Sequence, residues 1–193
     1  MTGMASWDGT VVLTTPRLLL RTFRQDDLPL YAALNADLEV MRYLGGVALP
    51  RSESDAIAEY ANEVYDSDGI GLLAIERRSD GQFLGMCGVA FEDWYPDDVQ
   101  LGWRFAHEYW GHGYATEAAG AWIGQALGPL GYPRVLAVTD VPNARSRAVM
   151  ERLGMTLDHE ADLVIEGEPL RAVVYAMTKE RWQSLDASDT TET

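Results

Sequence analysis

Cysteine is nearly absent from this chain. Cys87 stands alone, so no internal disulfide can form, and the expected compartment is the reducing cytoplasm. Positive charge is also scarce. Against 30 acidic residues there are 15 basic ones, and the net charge of −15 sets up a field that repels nucleic acid and anionic membrane. Such a field favours a cationic acceptor, an amine or a basic peptide end, although an acidic surface also serves solubility alone. No apolar run is long enough to span a membrane. The first ten residues hold Trp7 and Asp8 but no basic stretch followed by an apolar core, so no signal peptide is expected. His107 and His159 have no Cys or His at ligand spacing, and no metal site is expected. A Gly-Lys-Ser/Thr phosphate loop is missing too.

What is present reads as one globular domain. With 193 residues, 47% of them hydrophobic, the chain is long and apolar enough to bury a proper core. The expected boundaries are an N-terminal extension over 1–12, a domain over 13–183 and a polar, fraying tail over 184–193.

Local patterns give the element order. Arg17 to Phe23 reads as a strand, and Asp26 or Asp27 caps a short helix from Leu28 to Leu34 that tolerates Pro29 in its first turn. Asp37 starts another short helix that ends near Gly45-Gly46. Ser52-Glu53-Ser54-Asp55 resembles a capping box, and Ile57, Tyr60, Ala61, Val64 and Tyr65 fall on one helical face. Gly71 to Glu76 and Phe83 to Asp93 read as strands joined by the turn Ser79-Asp80-Gly81. Val99, Leu101, Trp103 and Phe105 alternate with more polar residues as in a half-buried strand. A helix follows with Ala115, Ala118, Ala119, Trp122, Ile123, Ala126 and Leu127 on one stripe, and Gly128-Pro129 stops it. Then come an apolar strand over Val135 to Val141, a helix from Ala144 to Leu153 closed by Gly154, and two strands, Thr156 to Ile165 and Leu170 to Thr178, with Glu166-Gly167-Glu168-Pro169 between them. This order is mixed α/β.

The most informative stretch is Trp110-Gly111-His112-Gly113-Tyr114-Ala115-Thr116-Glu117-Ala118. It places glycines and bare amides at a helix start, where the first-turn N–H groups have no internal partner and the dipole is positive, so it can hold a phosphate. A dinucleotide fingerprint would need Gly or Ala where Thr116 stands, in a βαβ unit rather than after a meander. Glu117 falls in the first helical turn, and a carboxylate there must point away from a pyrophosphate.

This stretch resembles the acyl-CoA pyrophosphate loop of the GNAT superfamily of N-acyltransferases, closest to the branch of the ribosomal-protein N-terminal acetyltransferases. Gly113 and Ala115 fit the family pattern, while Trp110 stands where Gln or Arg is usual. Thr14-Thr15-Pro16-Arg17-Leu18-Leu19-Leu20-Arg21 is similar to the branch's opening strand, Leu101-Gly102-Trp103 to its central strand, and Asn143-x-x-Ser146 with Glu151-Arg152-Leu153-Gly154-Met155 to its later helix. Together they cover about Leu13 to Thr178.

The resemblance implies a GNAT fold: a largely antiparallel sheet flanked by helices, its strands Val99–Phe105 and Val135–Val141 splayed into a V that takes the cofactor. It implies acetyl transfer from acetyl-CoA to a primary amine, a small molecule or a peptide N-terminus, by direct attack, in a protein that often dimerises. A non-catalytic acyl-CoA sensor of the same fold is the alternative. Main-chain groups of Leu101, Gly102, Trp103, Arg104 and Phe105 would hold the pantetheine. Gly111, His112, Gly113, Tyr114, Ala115 and Thr116 would hold the pyrophosphate. Asn143 would contact the pantetheine or set its helix, where a plain cap is the ordinary reading. Ser146 would protonate the leaving thiolate, since no Tyr occurs from Ala144 to Thr156. Attack needs a neutral amine. Glu92 and Asp93 are the candidate bases, Asp140 is another option, and His112 points elsewhere. Tyr31, Tyr43, Tyr60 and Trp94 would frame the acceptor, with core packing as their ordinary alternative. Cys87 reads as a small buried hydrophobe.

Overall fold

The turn signals of the sequence punctuate eight strands and six α-helices in the computed structural model, which describes residues 6–165 and 168–189. The strands are β1 (Val11–Thr14), β2 (Leu18–Arg21), β3 (Leu72–Arg77), β4 (Phe83–Glu92), β5 (Tyr95–Phe105), β6 (Arg134–Asp140), β7 (Thr156–Ile165) and β8 (Glu168–Thr178). They bond in the order β1-β2-β3-β4-β5-β6-β8-β7. The β5–β6 pair is parallel, and the β1–β2, β2–β3, β3–β4, β6–β8 and β7–β8 pairs are antiparallel. This is the expected mixed, largely antiparallel sheet. By its contacts the chain divides into two units, 1–88 with 102–118 and 89–101 with 119–193. The strands β4 and β5 and the helix α4 (Tyr114–Leu127) run from one into the other.

The first unit is built around Phe23, Tyr31, Leu34, Val40, Ala58, Phe83 and Met86. Phe23, Tyr31 and Phe83 meet in tilted and edge contacts 5.2–6.4 Å apart, geometries that suit aromatic quadrupoles. Its helices are α1 (Leu28–Ala36), α2 (Leu38–Met41) and α3 (Arg51–Asp68). Asp37 caps α2 as expected, accepting from the Glu39 amide at 2.9 Å. Asp27 does not cap α1 with its side chain. It instead takes a bidentate bond from Arg21, whose Nε reaches Glu76 at 2.8 Å. Arg21 is 2% exposed, and two carboxylates meet its charge.

Helix α3 departs from its expected start and face. It begins at Arg51 behind Pro50, with no side-chain cap, so Ser52 lies inside it. It buries Ser54, Ala58, Ala61 and Asn62, while Tyr60 is 67% exposed and so belongs to no core face. The reason is polar pairing. Asn62 accepts from the Phe23 amide at 2.8 Å and donates to the Phe23 carbonyl at 3.0 Å, and Ser54 accepts from Asn35 at 2.8 Å.

In the second unit the β6–β8 face centres on Leu136, Val174 and Ala176. Ala119, Trp122, Ile123, Ala126 and Leu127 of α4 are buried, the stripe read from the sequence. The helix α5 (Ala144–Arg152) is followed by Gly154 at φ 79°, a left-handed stop that favours glycine. The helix α6 (Lys179–Asp189) runs past Ser184, where the sequence predicts a polar, fraying tail; Trp182 and Leu185, three residues apart, line a cleft with Gly120, Ile123 and Leu153. The turn at Glu166-Gly167, the first five residues and Thr190 to Thr193 lie outside the described residues. No helix among the described residues is long and apolar enough to cross a membrane.

Candidate active site

The glycine turn forms in the first unit as the sequence predicts. Gly111 and Gly113 hold φ of 78° and 80°, the left-handed region that costs other residues about 1–2 kcal/mol. A Cβ at Gly111 would meet nothing within 4 Å, so the space over the turn is open. The first bond of α4 runs from the Glu117 amide to the Gly113 carbonyl at 3.0 Å, and the amides before it lie at the helix start, beyond the reach of any i−4 carbonyl.

Arg17 aims this turn. Its Nη1 donates to the His112 carbonyl at 3.0 Å. Across a trans peptide the next N–H points the opposite way, so pinning that carbonyl fixes the Gly113 amide pointing away from the Arg17 guanidinium. Arg17 also holds the one acid of the turn. Its Nε meets Glu117 Oε2 at 2.6 Å, its amide meets Oε1 at 2.9 Å, and the Thr15 hydroxyl donates to Oε1 at 2.6 Å. Burial pushes the Glu117 pKa up, but these donors more than reverse it and leave it below the usual carboxylate range. Glu117 therefore stays charged and bound to Thr15 and Arg17, as a phosphate site requires. The Arg17 guanidinium lies 4.8 Å over the Tyr114 ring, and the His112 ring stacks on Tyr114 at 5.7 Å.

Trp110, the departure from the family pattern, has a structural task. Its indole N–H donates to the Phe105 carbonyl at 2.8 Å, and its ring packs on the core of the first unit. One main-chain group expected to hold the pantetheine, the Phe105 carbonyl, is therefore already taken.

Next to the turn, Pro16, Arg17, Arg77, Arg78, Ser79 and Tyr114 line a cleft of about 460 Å³. Asp80 pairs with Arg77 at 2.7 Å and Glu117 with Arg17, whereas the Arg78 guanidinium meets no acid among the described residues and donates to the Thr15 and Pro16 carbonyls, at 2.8 and 3.1 Å. The cleft keeps a net positive charge in an acidic protein. Sequence reasoning missed all three arginines as ligand groups. Arg17 lies within the opening strand motif, but Arg77 and Arg78 fall between a strand and a turn signal and belong to no motif.

In the second unit Asn143 caps α5. Its Oδ1 accepts from the Ser146 amide at 3.2 Å, and its Nδ2 donates to Thr139 Oγ1 at 2.9 Å and to Ser146 Oγ at 3.1 Å. The Ser146 hydroxyl is thus an acceptor toward Asn143, and its own proton is not spent there.

Comparison with known proteins gives the family. The family described as "Acetyltransferase (GNAT) domain" matches residues 17–156. The chain belongs to the GNAT acetyltransferases. It is 30% identical to the protein YkkB of Bacillus subtilis (strain 168) over 145 residues, 74% of this chain and 84% of that protein. It is 28% identical over 188 residues to the FsC-acetyl coenzyme A-N(2)-transacetylase of Aspergillus fumigatus, covering 88% of this chain and 77% of that protein. Among solved structures, an acetyltransferase from Agrobacterium tumefaciens superposes with a TM-score of 0.73 at 27% identity, over 91% of this chain and 99% of that one.

The other residues expected to serve this GNAT chain are scattered in their environments. Glu92, at the end of β4, is half-buried; burial, then the charge of Asp93, pushes its pKa up, the direction a general base needs. Burial likewise raises Asp140. Trp94 donates to Gln100 Oε1 at 2.7 Å. Tyr43 is half-buried with Arg42 over its ring at 5.5 Å. Tyr31 is wholly buried among Phe23 and Phe83, so its aromatic ring is core packing rather than an acceptor wall. Cys87 is fully buried, and burial pushes its thiol far above the usual range, which keeps it protonated and inert. Within β5, Leu101 and Phe105 are buried and Gly102, Trp103 and Arg104 half-buried. Pairing between β5 and β6 runs through Val99↔Val135 and Gln100↔Leu136.

Proposed function

We propose that this GNAT chain moves an acetyl group from acetyl-CoA to a primary amine by direct attack, without a covalent enzyme intermediate. The amine nitrogen attacks the thioester carbonyl, the C–S bond breaks, and the thiolate leaves. The amides from Gly111 to Thr116 take the pyrophosphate, and the excess charge of Arg78 beside them offsets the repulsion of a protein with net charge −15. Main-chain groups of Leu101 to Phe105, other than the Phe105 carbonyl, take the pantetheine, and an N–H of that segment stabilises the tetrahedral oxyanion. Glu92, its affinity for a proton raised by burial, or its neighbour Asp93, removes the proton from the amine. Ser146 donates one to the thiolate. Holding both substrates supplies much of the acceleration.

One observation carries this reading. Arg17 pins the His112 carbonyl at the helix start and holds Glu117, the one acid of the turn, in an ion pair. The test is release of free thiol from acetyl-CoA over a panel of amines and N-terminal peptides, with Gly113→Trp alongside. The chain should release CoA with at least one amine, and Gly113→Trp should weaken acetyl-CoA binding by about tenfold or more, a loss of about 1.4 kcal/mol. Unchanged affinity in the variant would sink the phosphate-loop assignment. Tight acetyl-CoA binding with no turnover on any amine would make the chain a non-catalytic acyl-CoA-binding module.

A further inference from the structure

Two arginines of the first unit carry their charge inward, Arg21 buried and Arg104 half-buried, and they are treated differently. Arg21 meets Asp27 and Glu76. Arg104, on β5, meets no carboxylate among the described residues. Its Nη1 donates to Asn35 Oδ1, and its Nε is sealed from water with no partner. The groups around it are neutral: Asn35, which passes its own Nδ2 to Ser54, and the Tyr31 phenol, which donates to the Met86 sulfur at 3.4 Å. A guanidinium does not lose its proton to escape this situation. A buried charge without a partner is costly, and an anion brought to it is correspondingly favoured.

The geometry says where the anion sits. Nη1 is used by Asn35, while Nε and Nη2 lie on one edge of the planar guanidinium. Nε is a sealed orphan; Nη2 makes no hydrogen bond and is not sealed. That edge presents two parallel N–H donors, the fork that matches the two oxygens of a carboxylate. A carboxylate oxygen on Nη2 would bring its second oxygen alongside Nε.

We propose that Arg104 recognises a carboxylate on the acceptor, so that the substrate class is an amino-carboxylic acid, an amine that carries its own acidic group. This rests on the acetyl-transfer reading and adds the second half of the acceptor. The acidic field of the protein attracts the ammonium end, Arg104 takes the carboxylate, and the zwitterion as a whole is not repelled. Arg104 belongs to the same segment whose main chain is assigned to the pantetheine.

Matched pairs decide it: free amino acids and their carboxamides, measured as thiol release and, without turnover, as calorimetric binding of the N-acetylated acids and amides. The wild type should prefer the acid over the amide by about tenfold or more, the discrimination expected of a hydrogen-bonded charge. In Arg104→Met the preference ratio should fall toward one, and Arg104→Lys should restore part of it. The ratio is unaffected by any general loss of activity. A cooperative melt of Arg104→Met confirms an intact fold; it is expected to lie somewhat below the wild type, because the buried Asn35 Oδ1 loses its donor. A wild-type ratio near one, or a ratio unchanged in Arg104→Met, overturns the proposal. If no amine is acetylated at all, the acetyl-transfer reading fails, and the binding of acids against amides still decides the role of Arg104 by itself.

Discussion

Asn143 spends its amide three ways, on the Ser146 amide, the Ser146 hydroxyl and Thr139. A cap and a functional residue are therefore not rivals at this position, because the bond that starts α5 also orients the Ser146 hydroxyl as an acceptor and leaves its proton available. Removing the hydroxyl should cost little of the fold, about 1 kcal/mol for one part-buried hydrogen bond. Ser146→Ala should lower kcat by about tenfold, below the usual range for a general acid because a CoA thiolate also collects protons from water. The acetyl-CoA KM should stay within about twofold, since Ser146 acts on the leaving group rather than on the ground state. Steady-state kinetics with a saturating amine reads this directly. A wild-type kcat would show that water alone protonates the thiolate.

At the scale of elements, Trp110 links the end of β5 to the core beneath the turn. The family's usual Gln or Arg would offer a polar side chain to the phosphate, whereas Trp110 instead satisfies the Phe105 carbonyl and packs against buried side chains. Trp110→Phe keeps an aromatic six-membered ring and removes the N–H with the five-membered ring that bears it. The carbonyl left behind is part-buried, and its loss of a partner should cost about 1–3 kcal/mol, which for a chain of this length lowers the melting temperature by about 2–12 °C. Acetyl-CoA affinity should fall with it, as the turn loses an anchor; a variant that melts and binds like the wild type would show the indole N–H to be idle. Such anchors divide what the sequence reveals from what it hides. The glycine turn, the buried stripe of α4 and the Asn143 cap lie within a few residues of their own signals, and each forms where the pattern predicts. The face of α3 does not, because Ser54 and Asn62 are buried by partners 19 and 39 residues away, a kind of pairing no hydrophobic period reports. Strand β1 escapes for a different reason: four residues at a sheet edge, the outer two exposed and the inner two half-buried, are too short to show alternation. Arg78 reaches the Thr15 carbonyl across 63 residues and Arg17 reaches Glu117 across 100, so the basic side of the candidate phosphate site had no local signature at all.

Across the whole molecule, charge is lopsided in amount and in kind. Thirty acidic residues oppose fifteen basic ones, and Lys179 is the only lysine, so the positive side is almost entirely arginine and stays charged through any accessible pH. That arginine is concentrated where it is needed: Arg21 is locked between two acids, Arg17, Arg77 and Arg78 gather by the turn, and Arg104 stands without an acid. The remaining acidic excess repels itself. Lowering ionic strength from 0.15 M to 0.01 M lengthens the screening distance from about 8 Å to about 30 Å, so carboxylates that ignore one another in ordinary buffer begin to interact. Two effects then compete. Exposed pairs such as Arg51–Asp55 and Arg171–Glu160 strengthen at low salt, but each is worth only about 0–1 kcal/mol. The buried Arg21 pairs barely change, because water and ions do not reach them. Self-repulsion from the uncompensated charges acts on every acidic group at once and should win. The melting temperature is therefore expected to fall by about 2 °C or more on going from 0.15 M to 0.01 M salt, the equivalent of about 1 kcal/mol for a chain of this size. A melting temperature that rises as salt is removed would mean that the ion pairs, rather than the excess charge, govern the electrostatics of this fold.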